Sequence, residues 1–326
     1  MDQQEHSANP LHNERVLVTG GAGFIGSHLV RRLLDVGSRV AVLDNFSSGR
    51  RENLLDLLSD IELLEADIRD EDALRRAVRG RSAVFHLAAV VSVPQSVTDP
   101  ATTHAVTVGG SVHLLCAARD AGAHRVVMAS SSADYGENEV SPKTEESAPS
   151  PTSPYGAAKL AMEGFGQAFA ASYGLSVTSL RYFNVYGPRQ DPAGQYAAVI
   201  PRFITALLSG RSPVIFGDGG QTRDFVHVHD VVQANLLAAV EETAAGRVLN
   251  IAGGTPHSIL ALYETLRRIT ASAAEPIFAE VRPGDIRHSH ASTALARDLL
   301  GFRPQVSLDK GLALTVDWYR NSWAAN

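Results

Sequence analysis

The 326-residue chain has one cysteine, Cys116, so no disulfide can form within it, which suits a reducing compartment. Cys116 sits in the apolar, helically spaced run 112–118, where a buried structural thiol is expected rather than a nucleophile. No apolar stretch approaches the ~18 residues that a membrane-spanning helix needs. Residues 1–13 are polar and lack the apolar core of a secretion signal. Lysine and arginine nowhere form a block interleaved with aromatics, and the net charge of −6 is spread along the chain, which argues against nucleic acid as a partner. Repeats and low-complexity tracts are missing too, and the nearest thing to a linker is the Ser/Pro/Glu-rich segment 137–154. These absences lead us to expect a soluble, cytoplasmic protein with no membrane or nucleic-acid partner.

What is present centres on residues 15–28. A short apolar run (Val16, Leu17, Val18) ends at Gly20; Gly23 and Gly26 follow, and then Phe24, Ile25, Leu29, Val30, Leu33 and Leu34 take up a helical period. This reads as strand, tight turn and helix. Glycine is required where the turn needs unusual backbone angles, where main chain approaches a pyrophosphate, and where helix packs on strand; the helix N-terminus then offers free N–H groups to the phosphates. A second apolar run, 40–43, ends in Asp44, about where an acidic side chain can hold an adenosine ribose. The reading is a dinucleotide site, with Asp44 favouring NAD over NADP.

Strand and helix go on alternating: a strand over 61–64 closing at Asp67, a helix over 71–79, a strand over 83–87 running into Ala88 and Ala89, a helix over 101–121, and a strand over 125–129 ending in Ser130, Ser131 and Ser132. Alternation of this kind predicts a parallel, doubly wound α/β sheet, with ligands at the carboxyl ends of its strands. A helix over 153–173 carries Tyr155 and Lys159, and a spacing of four puts both on one face, where an ammonium favours phenolate over phenol. The phenol then becomes a usable base near neutral pH.

The Gly-x-x-Gly-x-x-Gly turn resembles the short-chain dehydrogenase/reductase superfamily, and Thr19–Gly26 resembles its extended, nucleotide-sugar branch. Residues 130–136 followed by 153–159 resemble the active-site pair of the UDP-hexose 4-epimerases. The resemblance covers about residues 14–320. It implies Tyr155, Lys159 and Ser131 as catalytic, Tyr155 taking the proton of the sugar 4-hydroxyl as hydride leaves C4 for NAD, with a 4-keto sugar that turns over before the hydride returns. It implies NAD contact by Gly20, Gly23, Phe24, Ile25, Gly26, Asp44, Asn45, Asp67, Ile68, Leu87, Ala88, Ala89, Tyr155, Lys159 and Tyr182, although Tyr182 could equally be core. For a UDP-sugar it implies Ser131, Ser132, Asn184, Val199, Ile200, Phe216, Arg223, Arg282, Asp285 and Ser289. Asn184, Arg223 and Arg282 would meet the diphosphate, Phe216 the uracil and Asp285 the ribose. Ser289 falls where a bulky tyrosine restricts relatives to unacetylated sugars, so a small residue here implies acceptance of UDP-N-acetylglucosamine; it could also simply end a loop.

The expected division is a flexible tail over 1–13, a cofactor domain over 14–182 with strands returning to it near 225–240, and a nucleotide-sugar lobe over about 183–224 and 241–326. Homodimerisation through helices 101–121 and 153–173 is expected from the resemblance and from Val106, Val108, Leu114, Leu115, Leu160, Met162, Phe165 and Phe169. His227 and His229 alternate as if on one strand face, yet no further ligand cluster accompanies them, and no metal is expected. Two residues depart from the family pattern: Thr107 stands for a common asparagine, and Asp134 for an apolar residue. Dehydratase relatives carry Asp-Glu where this chain has Ser132 and Ala133. The alternatives are a UDP-glucuronate epimerase or decarboxylase, a 4,6-dehydratase, or a non-catalytic NAD sensor.

Overall fold

The computed structural model describes residues 9–192, 198–281 and 286–324. Seven parallel strands form the central sheet: β1 (Arg15–Thr19), β2 (Arg39–Asp44), β3 (Ile61–Glu65), β4 (Ala83–His86), β5 (Arg125–Ser131), β6 (Ser176–Tyr182) and, later in the chain, β10 (Val248–Ile251). Their order is β10-β6-β5-β4-β1-β2-β3. Order reverses between β1 and β4, and a crevice at that switch point is the usual ligand site of such sheets.

Alternation along β1 builds both faces. Val16 and Val18 point into one core with α1 (Phe24–Asp35), whereas Leu17 points into the other with α2 (Glu71–Val78). Next come two short helices, α3 (Val93–Thr98) and α4 (Pro100–Thr103), then α5 (Gly110–Asp120) and α6 (Pro154–Tyr173). The helix expected over 101–121 is interrupted by a π-helical stretch, His104–Gly109. Its buried Thr107 is the cause we can name: Oγ1 accepts from Val90 N (3.3 Å), and the Thr107 carbonyl accepts from Ser111 Oγ. The extra residue in that turn lets the helix hold the loop after β4.

A second lobe holds β7 (Asn184–Tyr186), α7 (Val199–Leu208), β8 (Val214–Phe216), β9 (Thr222–His227), β11 (Pro256–Ser258), α9 (Ile259–Thr270), β12 (Ile277–Ala279) and α11 (Leu308–Ala324). Its sheets run β11-β9-β7 and β12-β8 around a separate apolar core containing Phe203, Leu262 and Leu312. The division of the chain differs from expectation in three places. Residues 228–240 are a helix, α8 (Val228–Val240), which packs its Val231 and Ala234 into the α1 side of the core. The strand that returns to the central sheet is β10, beyond the expected boundary at 240, and α10 (Ala294–Leu300) covers it with Ala296 and Leu300. Residues 9–13 are docked rather than a tail: Leu11 is buried in the core, its carbonyl accepts from Ser38 Oγ (2.8 Å), and Asn13 N donates to Gly37 O (3.0 Å).

Candidate active site

The turn after β1 has no room for side chains. Gly20 has φ +71°, and a Cβ there would sit 2.8 Å from Ala88 N; at Gly26 a Cβ would lie 2.1 Å from the Gly20 carbonyl. Gly23 caps α1 without a side chain, so the first N–H groups of the helix face outward uncapped. Asp44 ties this turn to the end of β2: Oδ2 accepts from Ala22 N (2.9 Å) and Oδ1 from Phe46 N (2.8 Å). Burial pushes its carboxyl up while those two amides pull it back. Asp67 accepts from the Arg69 guanidinium (2.8 and 2.9 Å) and from Asn45 (2.8 Å), and Arg69 holds it well below the usual carboxylate range.

All fifteen residues expected to meet the cofactor line one cavity of about 730 Å³, together with Ser131. Bare glycines, an uncapped helix N-terminus and a carboxylate at the end of β2 suit a pyrophosphate and an adenosine ribose, so the donor set fits NAD. Sequence reasoning missed the polar loop Ser47, Ser48, Arg50 and Asn53 on the same wall, where Asn53 Nδ2 donates to Ala22 O (2.9 Å). The Ser-Ser-Gly-Arg-Arg run after Asp44 was the available signal.

Tyr155 stands in the first turn of α6. Ser153 caps that helix by accepting from Gly156 N (3.2 Å), Pro154 occupies the first turn, and Gly174 ends the helix in the left-handed region. Tyr155 N donates to the buried Ser96 Oγ (3.0 Å), which locks the start of α6 onto α3. Burial pushes the Tyr155 phenol up, the Ser131 hydroxyl on the same cavity wall pulls it back, and the Asp134 carboxyl adds a smaller upward push. The Lys159 ammonium donates to the Ala129 carbonyl (2.5 Å), and burial pushes it down to about 8 against the pull of Asp134 and Glu163. Tyr182 belongs both to the core and to the cavity wall, with its hydroxyl 3.0 Å from Asn235 Oδ1.

Behind Ser131 lies a buried polar cluster. Ser130 Oγ lies 2.6 Å from Glu163 Oε1 and 3.1 Å from Asp134 Oδ2. Arg181 grips Glu163 with two N–H groups (2.8 and 2.6 Å) and stacks on Tyr135, with its Nε 3.6 Å from Asp134. His86 is equally enclosed, between Thr19 Oγ1 and Ser111 Oγ (both 2.8 Å), and burial pushes it down to about 3.

A second cavity, about 400 Å³, opens between β7, α7, β8 and β9. Asn184, Val199, Ile200, Phe216 and Arg223 line it, and Val185 and Gln190 line both cavities, so the two adjoin. Arg202, which sequence reasoning passed over, also lines it, with its guanidinium 5.9 Å from the Phe216 ring. Ser132 and Ser289 line neither cavity; Ser289 N donates to Thr222 O (3.1 Å) beside Arg223. Arg282 and Asp285 lie outside the described residues.

His227 and His229 do not share a strand face, because β9 ends at His227 and α8 begins at Val228. Their rings meet edge to face at 4.7 Å, and His28 meets His229 at 5.6 Å. Among the described residues no group of three or more His, Cys, Asp or Glu is arranged to hold a metal.

A doubly wound sheet with this turn, this Ser131–Tyr155 pair and an adjoining second cavity defines a nucleotide-dependent enzyme of the short-chain dehydrogenase type. The chain belongs to the NAD dependent epimerase/dehydratase family, which it matches over residues 16–252. It is 42% identical to a UDP-glucose 4-epimerase of Mycolicibacterium smegmatis over 94% of this chain and 99% of that one. Among solved structures it resembles UDP-glucose 4-epimerase of Thermotoga maritima with UDP-glucose (TM-score 0.90, 42% identity, 95% and 99% of the chains covered). It also resembles UDP-N-acetylglucosamine 4-epimerase of Methanobrevibacter ruminantium in complex with UDP-N-acetylmuramic acid (TM-score 0.91, 40% identity, 95% and 99% covered). The family's named activities extend to decarboxylation and dehydration. No helix among the described residues is long and apolar enough to cross a membrane.

Proposed function

We propose that this protein interconverts UDP-hexoses epimeric at C4, with UDP-glucose and UDP-N-acetylglucosamine as substrates. The observation that carries the reading is the placing of Ser131, Tyr155 and Lys159 on the wall of the larger cavity, beside an adjoining cavity lined by Asn184, Phe216 and Arg223. The glycine turn and the α1 N-terminus would hold the pyrophosphate of NAD, Asp44 the adenosine ribose, and Lys159 the nicotinamide ribose. NAD, when bound, supplies a reversible hydride acceptor and, while oxidised, a positive charge beside the phenol. Such a charge offsets the upward push of burial on Tyr155. Tyr155 takes the proton from the sugar 4-hydroxyl and returns it to the inverted sugar, while the Ser131 hydroxyl donates to the same oxygen. The 4-keto sugar turns about its diphosphate linkage, which Asn184, Arg223 and Arg282 retain, with Phe216 against the uracil. Ser132 and Ala133 provide no acid for loss of water, so dehydration is not favoured. The chain works as a homodimer paired through α5 and α6.

The test is incubation with UDP-glucose, UDP-N-acetylglucosamine and UDP-glucuronate, followed by the anomeric proton signals. Inversion at C4 of the first two, without change of formula, is expected. Loss of carbon dioxide or water from any of them, with no inversion, overturns the proposal.

A further inference from the structure

Asp134, one of the two residues that depart from the family pattern, is fully buried in the 3₁₀ turn directly after Ser131. Its surroundings are closed on every side. β5 contributes Ser130, β6 contributes Arg181, and α6 contributes Glu163; Tyr135, its neighbour in the turn, lies under the Arg181 guanidinium. Tyr155 and Lys159, also on α6, are near enough to feel its charge. Two carboxyls therefore face one guanidinium, and Arg181 is already committed to Glu163 through two short hydrogen bonds. The Ser130 hydroxyl, with one proton to give, lies 2.6 Å from Glu163 Oε1 and 3.1 Å from Asp134 Oδ2, so the two carboxyls crowd one buried donor, and like charges that share such a site favour a proton on one of them. Asp134 Oδ1 accepts from no donor among the described residues, so a negative charge on that carboxyl would stand partly uncompensated in a buried site.

We propose that Asp134 is a positioning residue: its carboxyl carries a proton, donates it to Glu163, and so clamps the strand end bearing Ser131 onto the helix that presents Tyr155 and Lys159. Asp134 has no contact with either cavity and acts through Ser131 and Tyr155. One proton leaves Glu163 and Arg181 as a balanced pair and keeps a second anion away from the phenol. Removing that proton at alkaline pH forces an unbalanced charge into a fully buried site.

The inference rests on the proposed roles of Ser131 and Tyr155, so its test has one arm that needs no sugar. Thermal stability is followed against pH for the wild-type protein and Asp134→Asn, whose amide mimics the protonated acid. An acid titrating higher in the folded than in the unfolded state contributes stability that is whole below about pH 4 and is lost as pH rises through the folded value. The wild-type Tm should therefore fall relative to that of Asp134→Asn between about pH 5 and about pH 9. In the second arm, Asp134→Ala should lower kcat on UDP-glucose by about 10–10²-fold, the scale of a small misplacement of reacting groups, with KM nearly unchanged. Asp134→Asn should restore kcat. Parallel Tm profiles, an Asn variant that is unstable at every pH or does not fold, or an Asn variant no faster than Ala each overturn the proposal. If the Ala variant does not fold, kcat of the Asn variant against wild type decides the second arm. Wild-type protein that epimerises no UDP-hexose sinks the functional reading, while the Tm arm still judges Asp134.

Discussion

Deleting one oxygen from Tyr155 separates chemistry from binding. Tyr155→Phe keeps the ring on the cavity wall but cannot move a proton, so turnover should drop by ~10²–10⁴-fold while NAD still co-purifies; near-normal turnover in a coupled assay removes Tyr155 from the mechanism. Sugar choice is tested at Ser289, where Ser289→Tyr should cost activity on UDP-N-acetylglucosamine and spare UDP-glucose in parallel kinetic assays. Equal loss of both puts the selection elsewhere, and Arg202 on the inner wall then becomes the residue to change. A third residue reports through acid. His28 is buried with Nε2 2.8 Å from Pro188 O, and burial pushes it down to about 4. For a base depressed in the folded state, stability is whole above the unfolded value near 6.5 and is lost as pH falls through about 4. The full depression is worth roughly 3 kcal/mol, so acid titration followed by circular dichroism should show a shallower limb in His28→Gln than in wild type.

At the scale of elements, the strand–turn–helix around Gly20 is the feature whose side-chain demands are strictest. Gly26→Ala drives a Cβ into the Gly20 carbonyl, so the turn must shift, and the purified variant should carry much less NAD by absorbance while its helix content is retained. This element and the Tyr155 helix were legible in the sequence because local requirements fix both: bare backbone in one, a one-turn spacing in the other. Other features were not legible. The break at His104–Gly109 follows from a contact between Thr107 and Val90, which lie seventeen positions apart. The direction of the Lys159 ammonium depends on the Ala129 carbonyl, thirty positions away on another strand. His227 and His229 alternate as strand residues do, yet the strand-to-helix change falls between them. Leu11 reads as part of a polar tail because its neighbours are polar, and only the packed core shows where it goes.

For the whole molecule, the expected pairing surface is smaller than the sequence suggested, because Leu114, Leu115 and Met162 are fully buried inside the chain. What α6 leaves outside is Phe165, 42% exposed, and Tyr173, 55% exposed, with Val97 of α3 at 62%. If these make the two-fold contact, wild-type protein should give a dimer mass by light scattering at micromolar concentration, and Phe165→Glu a folded monomer. The return of β10 to the edge of the central sheet has a consequence of another kind. During synthesis the cofactor domain cannot be completed when residue 182 leaves the ribosome; its last strand and the α8 helix that seals α1 follow only after β7, α7, β8 and β9 of the second lobe have been made. Chains stalled shortly before residue 248 should therefore remain open to protease and be clients for chaperones, and the two lobes of this protein are born together rather than one after the other.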